Sequence, residues 1–502
     1  MTEKISCFGG IDAGTTGCKI TLFGLDGEHL KTYYSEYDSI HTNTAHEIDF
    51  SSIRRSILEL LCDAIKDYKI CCLGVTSFGE TFAMLDKDDN VLCSSMLYTD
   101  PRGKEQCEEL CSIVGCEETT RITGVKPDKM YSIYKIMWLR DNRTDSFRNC
   151  DKILLGEDFI VYTLTGERKI DHSLAARTGA FDIANKKWCK EIFDAARVPV
   201  ELMSECVCTG AYAGKVSDKI KETLGISYDI HVVCGCHDQI AAMIGAGVFE
   251  SHIAMDGTGT VECIPVVLDK VPENTELYDG GYSVVPFLSD KYACYALSFT
   301  GGATLKWFRD TFAEYERDIC KNESKNVYAY LDGKSPEEPT DILVLPHFAG
   351  AATPYMDTDS KAAFIGITLS TTKYDIYRAL MEGTSYEILL NFNKLKSFTG
   401  EVKELRATGG GASSDLWLQI KADILDTKIC AMSKSETGAV GTAALAAVNM
   451  GIYSDIKDAV SKLSAVAKEY YPNAQNAQFY KKQYARYKKL YSAVKSLEGD
   501  EL

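Results

Sequence analysis

Short apolar runs alternate along the chain with segments of helical spacing, and turn residues separate them. Ser6–Phe23 (SCFGGIDAGTTGCKITLF) predicts strand, turn and strand, the turn being Asp12-Ala-Gly-Thr-Thr-Gly17. Ile53–Lys66 has the spacing of an amphipathic helix, and Ile70–Thr76 that of an apolar strand running into Ser77-Phe-Gly-Glu-Thr81. Lys135–Asp141 reads as helix, with Trp138 in the core. His231–Cys234 predicts a short strand, followed by a tight turn and a helix from about Asp238. The helix rests on Ile240, Ala241, Met243 and Ile244, which fall on one face. Ile253–Pro265 predicts a second strand–turn–strand unit, around Asp256-Gly-Thr-Gly-Thr260. Leu268–Tyr282 is polar and turn-rich, strands follow through Leu297, and Phe299–Trp307 opens a helix whose glycines leave its N-terminus open to a ligand. Cys320–Thr340 is charged and carries Pro336 and Pro339, the pattern of a mobile surface excursion. Ala407–Leu425 is a strand ending in three glycines and then a helix, and Thr437–Gly451 is a small-residue helix able to pack tightly behind it. Ile456–Leu497 reads as helical and broken at Pro472; its tyrosines 480, 484, 487 and 491 form a stripe that predicts a packing face.

The two hairpin-like units echo one another. Asp256-Gly-Thr-Gly follows Asp12-Ala-Gly-Thr by close to half the chain, so each half opens on the same pattern. Glycines and threonines in such turns offer backbone N–H groups and hydroxyls to phosphate, which predicts two related domains with a nucleotide clamped between them. The glycines Gly409, Gly410 and Gly411 allow backbone to approach a flat ring that any Cβ would block. Asp238 stands at a predicted helix start, where the helix dipole favours an ionised carboxylate. That suits a general base, although an aspartate there also serves as a plain N-cap.

Composition narrows the field. With 502 residues the chain exceeds one domain on length. Its net charge of −17, without a long basic run, argues against nucleic acid or an anionic membrane as partner. No signal peptide or membrane span is visible, so a cytoplasmic location is expected. The 19 cysteines then read as reduced, mostly packed thiols. The pairs Cys206/Cys208 and Cys234/Cys236 lack the companion ligands of a zinc or cluster site.

Gly10-Ile-Asp-Ala-Gly-Thr-Thr-Gly-Cys-Lys19, the second hairpin and the triple glycine together resemble the FGGY family of carbohydrate kinases, from about Phe8 to about Gly451. The resemblance implies an α/β protein of two ribonuclease-H-like (actin-like ATPase) domains, residues 1–247 and 248–502, with an interdomain cleft. It implies ATP and Mg²⁺, with Asp12 helping to hold the metal through water. Thr15, Thr16, Lys19, Gly257 and Thr258 would lie by the phosphates, Gly302 and Lys306 would approach the nucleotide, and Gly410, Gly411 and Ser414 would neighbour adenine or ribose. Glu80-Thr81 resembles the Arg-Glu-Thr of glycerol kinases, with Gly79 in place of the arginine. Tyr98-Thr-Asp-Pro-Arg102 resembles the family's W-x-D-x-R, Tyr98 replacing tryptophan, and Asp100 is either an acceptor for substrate hydroxyls or an Asp-Pro turn residue. Asp238 would be the base, with Gln239 beside it facing the sugar. Leu154–Gly166 resembles a family helix ending in Leu-Thr-Gly, with Gly166 as C-cap. Ser173–Asp182 is assigned to scaffold. Pro346–Asp357 matches the family's Gly-x-x-x-Pro segment, with Ala351 and Ala352 where many xylulose-type kinases have Glu-Arg.

The implied activity is ATP-dependent phosphorylation of a hydroxyl on a small sugar or polyol, a xylulose-like ketose being favoured. The alternatives are a glycerol- or erythritol-type polyol kinase, a non-kinase actin-like ATPase, or a sugar sensor. A homodimer is left open.

Overall fold

The computed structural model describes residues 4–273, 276–433 and 436–498. The N-terminal half is built on β1 (Ile5–Ala13), β2 (Gly17–Gly24) and β3 (His29–Glu36), an antiparallel meander. Helix α1 (Phe50–Asp67) follows, its start capped by Asp49, which accepts from the Ser51 N–H at 2.8 Å. Its apolar stripe, Ile53, Ile57, Leu61 and Ala64, is buried against the sheet. The helix returns the chain to β4 (Tyr68–Ser77), parallel to β1. With β5 (Tyr212–Lys215) and β6 (His231–His237) the sheet order is β5-β6-β4-β1-β2-β3. Helix α2 (Asp238–Gly245) leaves directly from β6.

The C-terminal half repeats that plan. The hairpin β7 (Ile253–Thr258) and β8 (Glu262–Leu268) is extended by β9 (Ser283–Pro286) and β10 (Tyr292–Ser298). Helices α3 (Gly302–Phe312), α4 (Val327–Asp332) and the long α5 (Lys373–Thr399) lead to β11 (Glu404–Thr408), parallel to β7. Then come α6 (Asp415–Leu425), β12 (Lys428–Met432), α7 (Thr437–Asn449), β13 (Val466–Tyr470) and α8 (Ala474–Tyr487). The order β9-β10-β8-β7-β11-β12-β13 again places a hairpin beside two parallel strands and closes on an antiparallel edge. The echo between the two aspartate turns is therefore an echo of topology.

Helices α2 and α7 meet at the centre of the molecule, and glycine sets how closely. A Cβ on Gly245 would overlap the Thr437 carbonyl, and one on Gly441 the Ala241 carbonyl. The small-residue face of α7 also lies on the N-terminal sheet, where Cβ atoms on Gly10 and Gly74 would strike Ala439 and Thr442. Thr437–Asn449, expected behind the adenosine loop, thus packs on α2 and the N-terminal sheet instead.

Several local expectations need correction. The strand expected to stop at Cys234 runs on to His237, because its irregularity at Gly235 is a bulge in the pairing with β4 and not a turn. Cys320–Thr340 is no loose excursion: it holds the end of a helix, Glu314–Asn322, and all of α4, whose Leu331 is buried. Ile456–Leu497 contains the edge strand β13, hidden in the sequence because four of its five residues are exposed. The tyrosine stripe does pack: Tyr480 bonds Arg378 and Glu382 of α5 at 3.0 and 2.8 Å, and Tyr487 bonds Glu387. Gly166 ends its helix in the left-handed region, φ +81°, donating to Tyr162 O at 2.8 Å. Trp138 is partly buried against the core. Among the described residues every cysteine is unpaired, no set of three or more His, Cys, Asp or Glu side chains could hold a metal ion, and no helix is long and apolar enough to cross a membrane.

Candidate active site

Asp238 stands where β6 becomes α2. Its side chain is 34% exposed, with Oδ1 3.1 Å from His237 Nε2 but without a well-aligned hydrogen bond. The carboxyl is pushed up to about 7 by burial first, then by the negative charges of Asp12 and Glu80, against a Gln239 N–H bond and Arg177. The helix start does not keep it ionised, as its position in the sequence suggested. Desolvation and two carboxylates outweigh one helix turn of dipole. Gln239 follows on the first turn, partly exposed.

Glu80 holds a left-handed backbone, φ +64°, with its carbonyl accepting from Ser132 Oγ at 2.6 Å. Its buried carboxylate pairs with Arg177, whose Nε donates to Oε1 at 2.6 Å. Arg177 comes from the stretch assigned to scaffold, and apolar spacing there concealed it. Thr81 is buried beside Glu80 with its hydroxyl unpartnered. Asp100 takes the turn role and not that of a substrate acceptor. It is fully buried, and its two oxygens accept from the Arg102 N–H, Nε and Nη2 and from the His46 N–H, at 2.6–3.0 Å. No lone pair is left for a sugar. From the same segment it is Tyr98 that feels Glu80 and Asp238, which with burial raise its phenol.

Asp12 and Lys19 are opposite one another across the first hairpin. Lys19 is bound to Glu436, just before α7, while Thr15 is partly exposed and Thr16 exposed at the turn. A Cβ on Gly438 would lie 3.3 Å from Asp12 Oδ2, so the α7 start leaves this carboxylate room. Burial raises Asp12, Lys19 lowers it and Glu436 raises it. The negative charge of Asp12, which raises Asp238, would be offset by a cation held at Asp12. A single carboxylate with waters and substrate phosphates matches the way Mg²⁺ is commonly bound.

A cavity of about 420 Å³ is walled by the second hairpin, the α3 start, α4 and the loop before α6, where the nucleotide is expected. Gly259 and Thr260 line it, whereas Gly257 and Thr258 lie one step back. Thr258 Oγ1 is taken up in a buried cluster: Lys421 Nζ donates to it at 2.7 Å, and to Asp256 Oδ2 and Glu262 Oε1 at 2.5 Å each. Lys421 also lies 4.8 Å from the ring of Trp417, which lines the cavity. The α3 N-terminus is not open either. The N–H groups of Gly301, Gly302 and Ala303 donate to the carbonyls of Thr260, Gly259 and Thr260. Gly302 and Lys306 still face the cavity, Lys306 pairing with Asp310 at 3.0 Å.

The three glycines divide. Gly409, φ +80°, and Gly411 are pressed against Thr258, whose side chain would lie 2.5 Å from a Cβ on Gly411. Packing therefore accounts for two of them, although Gly411 also lines the cavity, and Gly410 is the glycine that no packing requires. A Cβ there meets nothing within 4 Å, and the residue lines the cavity. Ser414 caps α6 and donates to Asp332 at 2.8 Å. Asn326, Tyr328 and Asp332 on the far wall were missed, because their helix was read as surface loop.

Residues 7–245 match the FGGY family of carbohydrate kinases, N-terminal domain, and residues 258–450 match its C-terminal domain. A xylulose kinase of Staphylococcus epidermidis is 27% identical over 500 residues, covering 98% of this chain and 97% of the relative. A glycerol kinase of Thermococcus kodakarensis is 28% identical over 467 residues, 89% of each chain. The crystal structure of xylulose kinase from Lactobacillus acidophilus superposes with a TM-score of 0.88 at 23% identity, over 97% of this chain and 98% of that one.

Proposed function

The chain belongs to the FGGY family of carbohydrate kinases, and within that family we propose a ketose of the xylulose type as its phosphoryl acceptor. It phosphorylates a hydroxyl of a sugar or polyol at the expense of ATP. In this reading the halves meet at Gly247–Val248. The acceptor end comprises Asp238, Gln239, Glu80 and Thr81, and the 420 Å³ cavity takes the adenosine. The observation that carries it is Asp238: a carboxyl oxygen without a hydrogen bond at the start of α2, raised by burial and by the charges of Asp12 on the first hairpin and Glu80.

The acceptor hydroxyl would donate to Asp238 and lose its proton there as the bond to phosphorus forms. Glu80 would accept from a second hydroxyl. The Thr260 N–H, with Lys19, would face the phosphates, since phosphoryl transfer needs positioning and charge compensation above all. Mg²⁺, when bound, would neutralise phosphate charge, and Asp12 would hold it through water. Closure of the halves about the α2–α7 contact would exclude water. The ketose preference draws on the xylulose kinases among the relatives. An ADP-release assay over D-xylulose, glycerol and erythritol tests it. Turnover with D-xylulose at the highest kcat/KM is expected, and a clear preference for glycerol or erythritol would move the assignment to a polyol kinase.

A further inference from the structure

Glu80 does not meet the cleft as a free carboxylate. Both contacts from Arg177, through Nε and Nη2, fall on its Oε1, and both side chains are buried. The guanidinium lies between two rings, 5.2 Å from Tyr131 of the N-terminal half and 5.7 Å from Tyr295 of the C-terminal half. In that position Arg177 Nη1 has no partner. Thr81 Oγ1, His237 Nδ1, Asp238 Oδ1 and Tyr295 Oη are buried and unpartnered in the same neighbourhood. Buried polar atoms are nearly always bonded, so five unpaired ones around a single ion pair mark a place where a ligand's oxygens belong.

Gly79 accounts for the guanidinium arriving from so far along the chain. A Cβ at residue 79 would lie 3.1 Å from His237 Nε2 and 3.3 Å from Arg177 Cγ. The space that a side chain on residue 79 would need is filled by Arg177. The pair then offers two complementary groups side by side: a carboxylate oxygen, which only accepts, and an N–H, which only donates. A hydroxyl next to a carbonyl presents the matching donor and acceptor.

We propose that Arg177 is the specificity-determining residue of the acceptor end. It fixes Glu80 so that the carboxylate takes a substrate hydroxyl, and its Nη1 donates to the adjoining carbonyl of an α-hydroxyketone, favouring an open-chain ketose over the corresponding polyol. The inference rests on the acceptor site proposed above, and its test separates the two.

Steady-state constants for D-xylulose, its reduced form xylitol and ATP are compared in the wild type, Glu80→Gln, Arg177→Gln, Arg177→Lys and Gly79→Arg/Arg177→Ala. A wild type without preference for D-xylulose overturns the inference at once. If Glu80→Gln leaves the D-xylulose KM unchanged, the acceptor site itself is misplaced and the inference falls with it. Where Glu80→Gln raises that KM, Arg177→Gln should lower kcat/KM for D-xylulose by about tenfold to 100-fold, the range for a lost charged hydrogen bond. Xylitol, which keeps the hydroxyl that Glu80 takes but has no carbonyl for Arg177 Nη1, should lose clearly less than D-xylulose, and the ATP KM should hold within about twofold. Gly79→Arg/Arg177→Ala, which returns a guanidinium to Glu80 from the neighbouring residue, should recover part of the D-xylulose preference. Should Arg177→Gln not fold, Arg177→Lys serves instead, since it keeps the charge and loses the fork. A folded Arg177 variant with the wild-type D-xylulose to xylitol ratio overturns the inference and leaves the acceptor site standing.

Discussion

Lys421→Met should be among the most damaging single changes in the C-terminal half. Lys421 is 1% exposed and lies between two fully buried carboxylates, Asp256 and Glu262, with Thr258 completing the cluster. Burial lifts Glu262 above the usual carboxylate range, Lys421 pulls it down and Asp256 raises it again. Methionine keeps the stem of the side chain and removes the charge that both acids face. Leaving a buried ion pair without one partner costs about 3–5 kcal/mol. The fall is read as a lower urea midpoint, with ADP affinity by calorimetry as a second readout, since the cluster holds the strand next to Gly259 and Thr260. The sign with pH follows from the carboxylates. Without Lys421 the folded pKa of Glu262 rises further above the unfolded one, and such a group loses stability as pH rises through that interval. The deficit should therefore be larger at pH 8 than at pH 5. Lys421→Met/Asp256→Asn/Glu262→Gln, which leaves no uncompensated charge, should regain most of the stability. A Lys421→Met protein within about 1 kcal/mol of wild type, with no pH trend, would refute the reasoning.

Gly410→Val should weaken ADP binding with the melting temperature and sugar KM unchanged, while Gly411→Val should also lower the melting temperature because it strikes Thr258; calorimetry beside thermal unfolding separates them. Gly441→Val, which drives a side chain into the Ala241 carbonyl, should cost about 1–3 kcal/mol or more and reduce kcat for every substrate alike. Asp100→Asn should destabilise the fold around Arg102 and leave the sugar KM of the folded fraction within about twofold, the order expected for a residue outside the substrate shell; a selective rise in sugar KM would return Asp100 to that shell.

The frame of the molecule was legible wherever a local pattern and the tertiary plan agreed. The two aspartate turns, the α2 start at Asp238 and the Gly166 cap are each set by a few neighbouring residues. What stayed hidden depended on residues distant in the chain. The charge state of Asp238 is set by Asp12 and Glu80, which no window around Asp238 contains. Arg177 sits among apolar residues that explain themselves as core, and its importance appears only beside Glu80. The sequence left Asp100 open between turn and acceptor, because whether Arg102, two residues on, folds back on it depends on the tertiary setting. The α4 wall was lost behind prolines and charges, and β13 behind its exposed residues, since sheet edges need little burial to form.

The central claim, that Asp238 is the base, is tested most directly by the pH dependence of kcat/KM for the acceptor in wild type and Asp238→Asn. Because the carboxyl must be ionised to accept the proton and its pKa is raised to about 7, activity should climb tenfold per pH unit below that value and level off above it. Asp238→Asn should lose about 10²–10⁴ in kcat, show no such limb and bind ATP within a few fold of wild type. A folded Asp238→Asn enzyme with near wild-type kcat, or a wild-type limb centred near 4, would contradict the account.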